Sequence, residues 1–182
     1  NQTKYNDDYV FVPSLNLYVA KERTLQGKNW FESHKELQGD NKRIPRVPEF
    51  VEFLKYLKSN SADYQTLFDD ITQVRAPWRA EWLDADFKVK NKELYVNSNH
   101  VYENGSLIPK TTQVLDKDTL MADRTPGISL DSWLENPTSQ GLPSKKVESG
   151  DLYYWYPRSD NNSVARFDAN DDWAGLYCDW GP

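Results

Sequence analysis

The order of local signals along this 182-residue chain predicts an α+β fold, with early helices packed on a mostly antiparallel, twisted sheet and long loops. Three observations carry the prediction. Apolar residues at helical spacing are concentrated in residues 29–74. Beyond Arg75 the pattern turns to strand-like runs divided by turn residues, without the β-α-β alternation of a doubly wound sheet. Aromatic residues make up 14% of the chain, with seven Trp and eleven Tyr, so large rings fill a compact core and leave polar edges at its surface.

Taken in order, residues 1–8 read as a polar, frayed terminus. Residues 9–182 read as one domain, since ~100–200 residues is an ordinary domain length. Tyr9-Val10-Phe11-Val12 and Leu15 to Val19 are short β runs around Pro13-Ser14, where a proline without an N–H marks an edge or a bend. Asn29 is placed to cap a short helix in which Trp30, His34 and Leu37 share a face, ending near Gly39. Pro48 and Glu49 suit the first turn of a second helix, with Phe50, Phe53, Leu54 and Leu57 as its apolar stripe. Leu67, Phe68 and Ile71 repeat the spacing in a third, over residues 64–74. Trp78 to Leu83 and Lys92 to Val96 are strand-like, and Asn104-Gly105 between apolar flanks predicts a hairpin. Residues 109–150 have little regular signal beyond a helical candidate at Leu130 to Leu134, as in a long surface excursion. Leu152-Tyr153-Tyr154-Trp155-Tyr156 then reads as a buried central strand.

Composition excludes several functions. Twenty-two Lys and Arg against 28 Asp and Glu give a net charge of −6, with no basic stripe to neutralise phosphates, so nucleic acid is not expected as a partner. A single cysteine, Cys178, allows neither an intrachain disulfide nor a cysteine-rich zinc site. No apolar run approaches the ~20 residues of a membrane helix, so membrane insertion is not expected. The chain opens on Asn1 and its one methionine is Met121, as in a processed chain or a domain cut from a longer one.

Signals for catalysis are sparse. There is no Gly-x-Ser-x-Gly elbow, phosphate loop, dinucleotide fingerprint or His-Glu-x-x-His. Of two histidines, His34 reads as packed on a helix and His100 as a surface residue in an Asn-rich loop. Paired carboxylates occur at Asp69-Asp70, Asp84/Asp86 and Asp171-Asp172, and a carbohydrate-active enzyme built on such a pair is the alternative function. Asp168 to Asp172 resembles the start of a calcium loop, but Trp173 stands where such a loop needs glycine, so a solvated acidic turn is favoured and neither metal nor cofactor is expected.

The last stretch concentrates Asn, Asp, Ser, Gly, Tyr and Trp, the set that recognition surfaces favour. If Ala174, Leu176 and Cys178 face inward on a strand, Trp173, Gly175, Tyr177 and Asp179 share the outer face. An ordinary amphipathic strand explains the same alternation.

Trp30-Phe31-Glu32-Ser33-His34, followed by Arg43-Ile44-Pro45-Arg46-Val47-Pro48-Glu49-Phe50-Val51-Glu52-Phe53-Leu54, resembles the two-helix region of C-type-lectin-like domains of the formylglycine-generating-enzyme branch. The strand Tyr153 to Tyr156 with the polar tail is similar to the end of variable proteins diversified by retroelements, of the archaeal or archaeal-virus type. The resemblance implies a C-type-lectin fold across residues 9–182 and a variable region over about 160–182. It implies a non-catalytic receptor or adhesion domain at a virion or cell surface, binding a protein or glycan. Its contact residues would be Asp168, Asn170, Asp171, Asp172, Trp173, Gly175, Tyr177, Asp179, Trp180 and Gly181. With one cysteine the formylglycine-generating activity is not carried over, and the Glu-Pro-Asn and Gln-Pro-Asp sugar motifs are absent. The expectation is therefore a binding module and not an enzyme, with a structural virion protein as a further alternative.

Overall fold

The computed structural model describes residues 8–21, 27–76, 78–122, 127–158 and 162–180. Among them the fold is a mixed α+β one, with helices packed against a twisted, mostly antiparallel sheet of six strands. Strands β1 (Tyr9–Val12) and β2 (Leu17–Ala20) pair antiparallel as a separate hairpin. Helices α1 (Trp30–Gly39), α2 (Val47–Ser59) and α3 (Ser61–Thr72) follow. The sheet is built from β3 (Arg79–Lys90), β4 (Glu93–Glu103), β5 (Ser106–Val114), β6 (Tyr153–Trp155), β7 (Ser163–Ala169) and β8 (Ala174–Trp180), with α4 (Leu130–Glu135) in the excursion before β6. Strand order is β5-β4-β3-β7-β8-β6, and only the β6–β8 pairing is parallel.

Local chemistry accounts for most boundaries. The Asn29 side chain accepts the Glu32 N–H while the Glu32 carboxylate accepts the Asn29 N–H, a reciprocal capping box that starts α1. In α2 the Glu49 carboxylate takes the Arg46 N–H and both terminal nitrogens of the Arg43 guanidinium, and Pro48 sits in the first turn. Glu103 pairs with Ser106 across Asn104 (φ 51°) and Gly105 (φ 81°). Two consecutive left-handed residues are what a tight hairpin of this twist requires.

The apolar stripes meet as expected. Phe50, Leu54, Leu57 and Ile71 are buried with Phe87, Phe167, Leu176 and Trp133 in one cluster between helices and sheet. Trp133 stacks on Phe167 at 5.9 Å and 11°. Helix α1 stands apart from this core and lies against β4 and β5; Trp30 and Ile44 are buried but outside the main cluster. The Gln38 side chain fastens α1 by donating to the His100 carbonyl (2.8 Å) and accepting the Tyr102 N–H (2.6 Å).

Three expectations are corrected. The excursion begins later than residue 109, because β5 runs on to Val114. Tyr153 to Tyr156 is not a central strand: β6 holds three residues at the sheet edge and only Tyr154 is fully buried in the core. A continuous aromatic run is compatible with an edge strand whose outward rings cover one another. His100, expected in a loop, lies within β4 and is buried. The polar terminus of residues 1–7 lies outside the described residues.

Candidate metal centre

Asp84 and Asp86 are two apart on β3, and a strand alternates its faces with period two, so both carboxylates project from one side. Asn97 and His100 both reach Asp86: Asn97 Nδ2 donates to Oδ1 at 2.9 Å and His100 Nε2 meets Oδ2 at 2.7 Å. Residues three apart in a regular strand point to opposite faces. Asn99, between them, takes a left-handed φ of 55° and breaks the alternation, a conformation that asparagine tolerates. On its other side His100 Nδ1 lies 2.5 Å from Asp84 Oδ1, and the His100 N–H donates to Asp84 Oδ2. One imidazole is thus held between two carboxylates.

His34 completes the group from α1. Its Nε2 is 3.8 Å from Asp84 Oδ1, and its side chain is 1% exposed. Trp30, one turn earlier, sets its ring edge-on to both His34 (4.4 Å) and His100 (5.0 Å) and anchors itself by donating to the Leu83 carbonyl at 2.9 Å. Asp84 is fixed through its backbone as well, its N–H donating to the Pro45 carbonyl. Ligand atoms of His34, Asp84 and His100 all lie within 4.8 Å of one another, the one such group among the described residues.

The two histidines are electrostatic opposites. Burial pushes His34 down to about 4, outweighing the pull of Asp84. Burial also opposes charge on His100, but hydrogen bonds to Asp84 and Asp86 overcome it and raise the imidazole to about 9. His100 is therefore a charged donor to both carboxylates at neutral pH, and His34 a neutral ring. Both nitrogens of His34 are buried without a hydrogen-bond partner. An unpaired buried polar atom costs ~1–3 kcal/mol, so two on one ring amount to stability given up at a single place.

A stability profile follows for the metal-free protein. His34 loses affinity for protons on folding, so its contribution is intact above pH 6.5 and falls away as pH drops toward 4. His100 gains affinity, so its contribution is complete below pH 6.5 and is lost as pH rises through about 9. Together they place a maximum near pH 6.5, with each limb worth on the order of 3 kcal/mol. Urea midpoints between pH 4.5 and 9 in the presence of a chelator measure it; a profile flat across that range would exclude these protonation states.

The cluster sits between two cavities. His100 and Asp86 line an open cleft of about 400 Å³ whose walls include Trp30, Phe31 and Leu107. Asp84 borders a second space of about 130 Å³ beside Arg46, Ser98 and Gln140.

This arrangement overturns the expectation of a non-catalytic receptor domain displaying a diversified patch, and with it the expectation that the chain is not an enzyme. Two histidines and a carboxylate, buried and within metal-bridging distance, give the chain catalytic potential. The enzyme alternative is the better supported, and Asp84/Asp86 is the pair that matters. The two carboxylates bracket one imidazole and so do not face each other across a sugar-sized gap.

The residues expected to contact a ligand sit elsewhere, around β7 and β8. Ala174, Leu176 and Cys178 enter the core. On the other face Trp173 stacks with Tyr153 (6.0 Å, 16°), Tyr177 with Trp155 (4.1 Å, 3°), and Trp180 meets Tyr177 edge-on. The Arg166 guanidinium lies 4.3 Å from the Trp180 ring and donates to Asp168 at 2.8 Å. Gly175 serves packing, since a Cβ there would come within 2.5 Å of the Tyr153 carbonyl. The Asn170 side chain accepts the Asp172 and Trp173 N–H groups and closes the β7–β8 turn, with Asp171 and Asp172 exposed at its tip. Asp179 pairs with Arg158 at 3.5 Å, and Gly181 lies outside the described residues. Asp168 to Asp172 form no metal-ligand group among the described residues.

Neither His34 nor His100 was marked as a ligand by the sequence. The one usable signal was the i, i+2 spacing of Asp84 and Asp86. No known family model matches the chain, and no curated protein or solved structure matches it either.

Proposed function

We propose that the chain is a metal-dependent hydrolytic enzyme whose ion is held by His34, Asp84 and His100. The observation that carries the proposal is His34, a neutral imidazole with both nitrogens buried and unpartnered, 3.8 Å from a carboxylate oxygen. A neutral imidazole carries one N–H and one lone pair, so this buried ring holds an acceptor nitrogen that no donor of the chain meets and that a cation would satisfy. A tetrahedral zinc site with bonds of ~2.0–2.1 Å holds its ligand atoms about 3.3 Å apart. The 2.5 Å and 3.8 Å separations from Asp84 straddle that value, and all ligand atoms of the group lie within 4.8 Å of one another. Three protein ligands are the number used by catalytic zinc sites, which keep a fourth position open. A bound ion of this kind supplies a Lewis acid and a water deprotonated near neutral pH.

The chain's own residues supply the rest. Asp86 lines the cleft and contacts His100 from the side away from Asp84, so it orients that ring as an outer carboxylate does at metal-bound histidines. It is also the carboxylate base placed to accept a proton from a water in the cleft. Asn97, held by the Thr112 hydroxyl at 2.7 Å, keeps Asp86 in place. Trp30 excludes bulk water from the two histidines.

The test is hydrolysis of 4-nitrophenyl acetate before and after chelation, with Zn²⁺ or Co²⁺ added back. Activity that disappears with chelator, returns with one ion per chain and is lost in Asp86→Asn at unchanged metal content supports the assignment. Turnover that ignores the chelator sinks it.

We also propose that the α+β architecture is C-type-lectin-like. What supports this is the succession of two capped helices, an antiparallel sheet, a long excursion and a short edge strand before the last two strands.

A further inference from the structure

The cleft that opens on the cluster has an uneven lining. One wall is apolar, made by Trp30 and Phe31 at the start of α1 and by Leu107 and Pro109 on the β4–β5 hairpin. Phe31 is 38% exposed and meets Tyr102 edge-on at 5.9 Å, which leaves part of its ring open to the cleft. The polar floor is Asp86 and His100, and the rim carries one cation, Lys88. Lys88 is exposed and forms no ion pair among the described residues, although the chain has six more acidic than basic side chains. A divalent ion in the cluster would have its charge balanced by the carboxylates of Asp84 and Asp86, with both histidines bound as neutral ligands. Lys88 is then the charge left uncompensated at the mouth. A space of about 400 Å³ lies within the size range of small-molecule sites.

We infer that the site takes small organic carboxylates, with an apolar body lying on Phe31 and Leu107, the carboxylate paired with Lys88, and the bond to be cleaved directed to the floor at Asp86 and His100. This rests on the metal-hydrolase reading of the cluster. Lys88 is a specificity residue in this scheme: it touches substrate at the rim, away from the reacting atoms.

The experiment has two stages that fail separately. Co²⁺ is first titrated into the protein and followed by its visible absorption, which reports the metal site alone. Absence of a stoichiometric, His-ligated cobalt spectrum removes the hydrolase reading, and the substrate inference falls with it. The cobalt-loaded protein is then titrated with 3-phenylpropanoate and with its uncharged isostere 3-phenylpropanamide, using tryptophan fluorescence and calorimetry. The carboxylate is expected to bind about fivefold tighter than the amide, the range of a single exposed ion pair. Lys88→Met, a change at an exposed position, is expected to erase that preference while leaving amide affinity, cobalt spectrum and Tm unchanged. A preference that survives in Lys88→Met would put the carboxylate on the ion and overturn the assignment, as would equal affinity for the two probes or no binding of either.

Discussion

Replacing His34 with leucine is expected to abolish uptake of a divalent ion while leaving the metal-free protein at least as stable as wild type. The ring is 1% exposed and neither nitrogen has a partner, so leucine removes two unsatisfied polar atoms at nearly constant volume. What is lost is the edge contact with Trp30 at 4.4 Å, worth ~0.5–1.5 kcal/mol at most. What is relieved is the penalty of unpaired buried polar atoms, ~1–3 kcal/mol. Set against that contact and the one with the His100 ring at 5.4 Å, the balance runs from near zero to about 2 kcal/mol in favour of the variant. A residue that lowers stability and is kept where it could bind an ion has the signature of a functional site. Urea unfolding in chelator, with Co²⁺ titration of the same samples, separates the outcomes. A variant that loses stability yet still binds cobalt would make His34 an ordinary packing residue.

Asp84→Ala is expected to produce the largest loss of stability of any single change in the cluster, about 3–5 kcal/mol. Its carboxylate is 4% exposed and receives two bonds from His100, one from the ring and one from the backbone. Without it the imidazolium keeps Asp86 alone, and a buried charge loses half its compensation. The same logic predicts strong non-additivity. Changing His100 to leucine in the Asp84→Ala background removes the charge left behind, so the double variant should be no less stable than Asp84→Ala alone. A cost under 1 kcal/mol for Asp84→Ala, or additive losses in the double variant, would show that no charged histidine is buried there.

Much of the architecture is legible in the sequence, and for local reasons. The Phe50-Phe53-Leu54-Leu57 stripe, the Asn29 cap and the Asn104-Gly105 turn each act within a few residues, and each is where the structure has it. The inward alternation of Ala174, Leu176 and Cys178 is equally local. Tyr153 to Tyr156 misled because hydrophobicity reports burial and not position within a sheet. The rings of Tyr153 and Trp155 are covered by Trp173 and Tyr177 and not by flanking strands on both sides.

The candidate site was the least legible part. Its members come from α1, β3 and β4 and share no spacing rule. Asparagine is a poor strand former, so Asn97 and Asn99 made the segment around His100 look like a loop. In β4 Asn97 is paired with Asp86 and Thr112 on both sides, and tertiary context overrides propensity. Sequence by itself determined the elements, their caps and turns, and the common face of Asp84 and Asp86, because these follow from backbone periodicity and short-range hydrogen bonding. Only the tertiary structure decided that two distant histidines meet at that face, since their encounter depends on α1 lying across β4 and on one left-handed asparagine turning His100 inward.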